Sequence, residues 1–338
     1  MMYSGFKLKD EENTMNNVDG LVFALCLDGN GGGQPLTLEQ ARQWKATDGI
    51  LWLHLDYTGE VAKHWMTQES GIDPVMVEAL TAKETRPRSI VHKGNMLVIL
   101  RGVNLNPGTD PEDMVSVRFW IESNRIISLR HRRVMAVDDI RQAVLVGDGP
   151  KSSGEFLEEL SDRLVQRMGI VISEVDDQVD ALEDELLNET TYELRQKISH
   201  IRRSAISMRR YLAPQRDVMS RLHNEKVDWL DDGERMRLRE IADRTTRYVE
   251  DLDAIRDRAT VTQEELNSSL ADKMNKTMYV LSIVAAIFLP LGLLTGLLGI
   301  NVGGIPGSEN QWAFAVFCAI LVMIAAGQIW LFKAKRWM

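Results

Sequence analysis

Hydrophobic positions follow three rhythms along the chain. Between residues 20 and 130 they come in short runs, LVFALCL, GILWLHLDY, NMLVILRGVNL, MVSVRFWI and RIISLRH, rich in Val, Ile, Leu and aromatics and bounded by turn formers. Such runs predict β-strands, with Ser123-Asn124 as a hairpin tip. TGEVAKHWMTQES and DPVMVEALTA fall between them and predict helices, which makes residues 1–150 an α/β domain. From residue 151 the spacing becomes three and four. Leu157, Leu160, Leu164, Met168, Val171, Val175, Val179, Leu182 and Leu186 form a stripe that ends in the acidic run DDQVDALEDEL. The next stretch, YELRQKISHIRRSAISMRRYL, is basic, and an antiparallel helical hairpin with complementary charged faces accounts for both. A second reading makes the carboxylates a surface that gathers cations. Leu238, Ile241, Thr245, Tyr248, Leu252, Ile255, Ala259, Thr262 and Leu266 then repeat as a heptad seam. No Pro or Gly interrupts between Glu234 and Phe288, so one continuous stalk helix is expected, and residues 151–277 read as a helical funnel and stalk.

The third rhythm is the absence of charge. Residues 278–300, MYVLSIVAAIFLPLGLLTGLLGI, carry none, nor do residues 312–332, WAFAVFCAILVMIAAGQIWLF. Each is long enough to cross a hydrocarbon core, for which about 20 residues suffice. Residues 278–338 are therefore a transmembrane hairpin with a basic tail. Lys273 and Lys276 precede the first span, Lys333, Lys335 and Arg336 follow the second, and the loop between has no Lys or Arg. The positive-inside rule places both ends of the hairpin in the cytoplasm. Two helices enclose no hydrophilic path, because each satisfies its backbone internally and a pair leaves no lumen. The hairpin is either an anchor or one part of an assembly of several chains around an axis.

Composition narrows the function classes. The 338-residue chain has a net charge of -9, which argues against a nucleic-acid partner, since neutralising phosphates needs a concentrated basic face. The first residues, MMYSGFKLKDEENTMNN, lack the apolar core of a secretory signal, so the N-terminal domain is expected in the cytoplasm. Two cysteines, Cys26 and Cys318, build neither a disulfide framework nor a thiolate zinc site and read as small buried hydrophobes. DGNGGG after the first strand lacks the Lys-Ser/Thr of a phosphate-binding loop and reads as a turn. His54 and Asp56, two apart on a strand, are the nearest approach to a paired metal-ligand motif, and His54 reads as a structural histidine. No catalytic constellation and no resident cofactor are visible, so the chain is not read as an enzyme.

Gly299-Ile300-Asn301 closes the first span, after a long stalk and before a second span with a basic tail. In that placement the tripeptide resembles the Gly-x-Asn signature of the CorA family of divalent metal ion transporters, and the resemblance covers essentially the whole chain. It implies a homopentamer in the bacterial inner membrane, five first spans lining the pore, and a transported divalent cation. Leu298 stands where the magnesium-type members carry an aromatic residue, and the loop reads NVGGIPGSENQW. That loop, with APQRDV at residues 213–218, is similar to the zinc-transporting ZntB branch. The resemblance thus points to Zn²⁺, with Mg²⁺, Co²⁺, Ni²⁺ and Cd²⁺ as alternative cargo.

The resemblance also puts Met278, Leu281, Ala285, Leu289, Gly292, Gly296 and Gly299 on the pore side, and their spacing of three and four does make one helical face. That face has no Asp, Glu, His or Cys, although a dehydrated Zn²⁺ would need nitrogen, sulfur or carboxylate ligands. An ion passing along it is expected to keep most of its water, met by carboxamides and backbone carbonyls. Asn301 from each subunit would then form a neutral polar ring at the external mouth. Gly299 would keep neighbouring helices close, and Gly303, Gly304 and Pro306 would turn the chain back. Glu309, the acid in the loop, would draw cations to the mouth. Neither span holds an Asp, Glu, His, Lys or Arg, so coupling to protons has to be sought outside the membrane. The competing reading is a membrane-anchored sensor that moves no ion.

Overall fold

The computed structural model describes residues 20–188, 192–299 and 311–335. It divides at Gln263/Glu264 into two compact units. The first contains seven strands, β1 (Leu21–Leu27), β2 (Gly33–Pro35), β3 (Ile50–Asp56), β4 (Arg88–His92), β5 (Asn95–Gly102), β6 (Val115–Ile121) and β7 (Arg125–Arg130). They form one sheet in the order β2-β1-β3-β7-β6-β5-β4. All neighbours are antiparallel except β3 and β7, which run parallel with Leu53 opposite Ile127. The strands read as nearly unbroken apolar runs because both faces are covered. On β3, Ile50 and Trp52 enter one core while Leu51, Leu53 and Leu55 enter the other.

The second of these cores lies beneath short helices, α1 (Leu38–Gln43), α2 (Glu60–His64), which continues as a π-helical turn over Trp65–Glu69, and α3 (Pro74–Thr81). Thr37 caps α1 in a reciprocal box with Gln40, and Asp73 caps α3 at the amide of Val75. The first core lies beneath α4 (Met135–Val146) and three long helices, α5 (Ser153–Asn188), α6 (Tyr192–Leu222) and α7 (Asp232–Gly299). Phe156 of α5 meets Trp52 edge-on at 4.9 Å, and Trp52 meets Phe23 at 4.8 Å. The expected stripe on α5 is buried from Leu157 through Leu182, and the heptad seam on α7 is buried throughout except for Tyr248, which is half-buried. Helices α5 and α7 approach closely where Gly169 faces Tyr248, since a Cβ there would stand 2.1 Å from the phenol oxygen.

Two strands escape the sequence pattern. β2 has three residues, GQP, and β4, RSIVH, is an edge strand without a fully buried residue. DGNGGG is the turn that joins β1 to β2, where the Asp28 carboxylate accepts from the amides of Asn30 and Gly32. The Ser123-Asn124 tip joins β6 to β7, closed by the Glu122 amide donating to the Arg125 carbonyl.

Charge pairing departs from the expected α5–α6 complement. Lys197 of α6 does reach Glu185 of α5 at 2.9 Å. The body of the acidic run, however, turns to α7, where Arg258 bonds Asp176 at 2.9 Å, Glu183 at 2.7 Å and also Asp180. Arg209 of α6 likewise pairs with Asp253 of α7 at 2.6 Å. These carboxylates raise the Arg258 guanidinium further above its ordinary range, through the hydrogen bonds to Glu183 and Asp180 first.

His54 is wholly buried, its Nδ1 2.7 Å from the Ser128 hydroxyl and its ring stacked on Phe23 at 4.9 Å. Burial is the largest cause of its pKa falling to about 3, with Arg130 and Arg141 adding to the effect. Asp56 instead accepts from the amide and hydroxyl of Thr58, so the two side chains do not form a ligand pair. Cys26 and Cys318 are half-buried rather than fully enclosed; the Cys26 thiol donates to the Asp48 carbonyl at 3.2 Å.

Besides the burial of Val218, Met219 and Leu222 in the first core, a pair of hydrogen bonds fixes α6 to the sheet. The Gln215 carboxamide accepts from the Arg101 amide at 2.6 Å and donates to the Arg101 carbonyl at 3.2 Å, at a position of β5 beyond the end of the β4 ladder. Gln215 belongs to the APQRDV run; Pro214 is inside the helix, Arg216 and Asp217 pair at 2.9 Å, and Val218 is buried.

Candidate pore helix

The second unit holds the remainder of α7 and α8 (Ala313–Ala334), two helices long and apolar enough to cross a membrane. Their apolar side chains are mostly exposed: Leu281 is 68% accessible and Leu289 72%. A folded chain keeps such a surface only when something apolar outside it takes the place of water.

Three hydroxyls inside this segment are satisfied within their own helix. The hydroxyls of Thr277, Ser282 and Thr295 donate to the carbonyls of Lys273, Met278 and Leu291, each four residues back, at 3.0, 2.8 and 3.0 Å. Pro290 is the exception within the helix, because it has no N–H to offer the Ala286 carbonyl. That carbonyl accepts instead from the Gln328 carboxamide of α8 at 3.4 Å. In a lipid interior, where water supplies no partner, a donor from the neighbouring helix replaces the missing backbone bond. Sequence reading passed over Gln328; an amide in an otherwise apolar span, together with a proline in the other span, was the available signal.

The seven residues predicted on one face, Met278, Leu281, Ala285, Leu289, Gly292, Gly296 and Gly299, all belong to α7. Apart from the small Ala285, each is exposed within the chain, whereas Ile283, Ile287, Leu291 and Leu294 are half-buried. A Cβ added at Gly292, Gly296 or Gly299 would meet nothing within 4 Å. Packing within the chain therefore does not require glycine at these three positions. Ile300, Asn301 and Glu309 lie outside the described residues. Among the described residues no group of three or more His, Cys, Asp or Glu side chains is arranged to hold a metal ion. What the described part of this face offers is helical backbone, apolar side chains and three gaps where side chains are missing.

A family model described as "CorA-like Mg2+ transporter protein" matches residues 47–336. The chain belongs to the CorA family. With that membership, the two apolar helices identify a membrane protein. Among CorA-family relatives, the zinc transport protein ZntB of Yersinia enterocolitica is 36% identical over 321 residues, covering 95% of this chain and 97% of that protein. The divalent cation transporter CmaX of Pseudomonas aeruginosa is 38% identical over 326 residues, covering 94% and 97%. The solved structure of full-length CmaX matches with a TM-score of 0.83 over 94% of this chain and 98% of its own. The complete CorA magnesium transporter from Methanocaldococcus jannaschii shares the fold, with a TM-score of 0.78 at 18% identity over 94% of this chain and 99% of its own. The α/β domain, long helix and two apolar helices are thus a CorA-family architecture along nearly the whole chain.

Proposed function

We propose that this chain transports divalent cations, zinc foremost, through a homopentameric pore in the bacterial inner membrane, with both termini in the cytoplasm. The observation that carries the reading is the bare face of α7. Gly292, Gly296 and Gly299 fill no need within one chain, and small residues at such spacing let neighbouring membrane helices approach closely. Several copies around an axis would use that closeness and turn Met278, Leu281, Ala285 and Leu289 toward a common lumen. Zinc is favoured by the name of the ZntB relatives and by the loop NVGGIPGSENQW. CmaX is named for divalent cations in general and the family model for Mg²⁺, which keeps a magnesium or cobalt channel as the alternative.

On this reading the cation keeps its inner water shell, since the described face carries no Asp, Glu, His or Cys side chain to replace it. Asn301 forms the neutral ring at the mouth and Glu309 concentrates cations outside. The membrane potential supplies about 4.6 kcal/mol to a divalent ion entering at about 100 mV, enough to draw it inward without a coupling ion.

The test is flux of Zn²⁺ and Mg²⁺ measured separately into liposomes holding the purified protein, at clamped potential, with and without an inward proton gradient. Zinc flux above magnesium flux supports the zinc reading, and stimulation by the gradient would add proton coupling through groups outside the spans. Flux favouring Mg²⁺ makes the chain a magnesium-type channel. Asn301→Ala should cut flux by about tenfold or more while assembly persists, the loss expected when a hydrogen-bonding group at a selective constriction is removed. Unchanged flux in that variant rejects the ring, and no flux of any divalent ion in the native protein rejects transport in favour of a sensor.

A further inference from the structure

The first unit contains a cavity of about 430 Å³ that the transport reading does not use. It opens between the sheet and α6, and five cationic side chains line it against two carboxylates. Arg118 and Arg101 are its fixed members. Arg118 is 1% accessible, donates to the Leu80 carbonyl at 2.5 Å and the Tyr57 hydroxyl at 3.1 Å, and lies over the Tyr57 ring at 4.2 Å. Arg101, held at the other end by Gln215, donates to the carbonyls of Met114 and Thr85, both at 2.7 Å, and lies over the Tyr211 ring at 4.4 Å.

Both guanidiniums are thus fixed by neutral groups and by aromatic faces. The Nε atoms of both are buried without a hydrogen-bond partner, although a buried charged donor ordinarily finds one. Burial lowers both guanidiniums from their ordinary range; Arg101 adds to the effect on Arg118, and Arg210 to that on Arg101. The other cationic members, Lys83, Arg132 and Arg210, are exposed. Of the two acids, Glu112 is engaged by the Ser204 hydroxyl at 2.6 Å. Positive charge is concentrated here in a chain whose net charge is -9.

We infer that this cavity is a binding site for a small phosphate-bearing polyanion, with Arg101 and Arg118 as its floor and Arg132 and Arg210 as its rim. Several points favour that class. The cavity falls within the size range of small-molecule sites, about 300–1,000 Å³. Guanidinium forks match phosphate oxygens, and a monovalent ion would leave most of the charge uncompensated. Both tyrosine rings already carry a guanidinium, so the recognised group is the phosphate and not a stacked ring. An oligophosphate and the phosphate chain of a nucleotide present the same chemistry. The inference does not depend on which cation the spans conduct.

The experiment is calorimetric titration of the full-length protein in detergent, stripped of divalent metals, with sodium pyrophosphate, ADP and sodium acetate in turn. Pyrophosphate or ADP should bind saturably at one per chain while acetate does not. Equal affinity for both phosphates identifies the free phosphate group as the ligand, and tighter ADP binding identifies a nucleotide; both outcomes uphold the site. The surface double variant Arg132→Ala/Arg210→Ala should weaken binding by about tenfold or more with unchanged thermal unfolding, in line with the loss of charge-assisted hydrogen bonds. Arg101→Lys keeps the charge and removes the fork, and should weaken phosphate binding too; if it fails to fold, the rim variant decides. No saturable binding, native affinity in the rim variant, or acetate binding as well as pyrophosphate would overturn the inference.

Discussion

One helix behaves in two ways along its length. In its first part α7 presents Leu238, Ile241, Leu252, Ile255 and Ala259 to its own chain, and all are buried. From Met278 onward the same helix is at least as apolar, yet Leu281, Leu289, Leu293 and Leu297 are exposed. The difference is in what lies alongside. Upstream, α5 and α6 cover one stripe and leave a charged face to water; downstream, apolar residues occupy every side. A periodic stripe marks a helix that its own fold covers, and an all-round apolar surface marks one whose solvent is lipid or other copies of itself.

Four comparisons press on this contrast, in falling order of effect. Leu252→Ala should destabilise the first unit by about 2–5 kcal/mol in thermal unfolding, as large-to-small changes in a closed core do. Leu289→Ala in the exposed stretch should stay within about 0.5 kcal/mol, as surface changes do. Similar losses at both sites would mean that the downstream face is as well covered as the seam.

His54 comes next. Its folded pKa, about 3, is below the ordinary value of 6.5, so the unfolded chain binds the extra proton. Its contribution is therefore fully present above about pH 6.5 and is lost as pH falls from there toward 3, at up to about 1.4 kcal/mol per pH unit. His54→Gln should flatten that slope in unfolding curves recorded across the window; an unchanged slope would assign it to other groups.

Gln328→Leu removes the donor that Ala286 uses in place of the Pro290 amide, and should cost about 1–2 kcal/mol in the membrane unit. In a Pro290→Ala background, where the backbone supplies its own N–H, the same change should be nearly neutral, and a double-mutant cycle reads the difference. Apart from the Leu289→Ala control, the smallest effect is expected at Arg258, whose partners are largely exposed. Arg258→Gln should cost about 0.5–1 kcal/mol at low salt and less as salt is added.

The strands, the seam and the two spans were legible because each is a run of side chains whose spacing repeats a regular geometry. β2 and β4 were not, since three residues ending in Pro35 and a half-covered edge show no clear alternation. The partner of the acidic run was also misjudged. Opposite charge on neighbouring segments suggested α6, but Arg258 stands some eighty positions away along the sequence, and only packing brings it beside Asp176. Of the candidate site, the face of α7 could be read from spacing. The cationic cavity left only weak traces, Arg118 in the middle of VSVRFWI and Arg101 near the end of NMLVILRG. The letters APQRDV, read as a mark of the zinc branch, have a structural use here, since Gln215 ties α6 to the sheet.

That tie also bears on how the chain avoids its own copies. β5 outruns β4, and a strand with unpaired backbone groups is a template on which another chain can add a strand and begin to aggregate. At Arg101 the Gln215 carboxamide presents one acceptor and one donor to the peptide, as a neighbouring strand would. The opposite edge is blunted in another way, by a strand three residues long that ends in proline. A second copy of the chain thereby finds few free backbone groups at these two positions on which to add a strand.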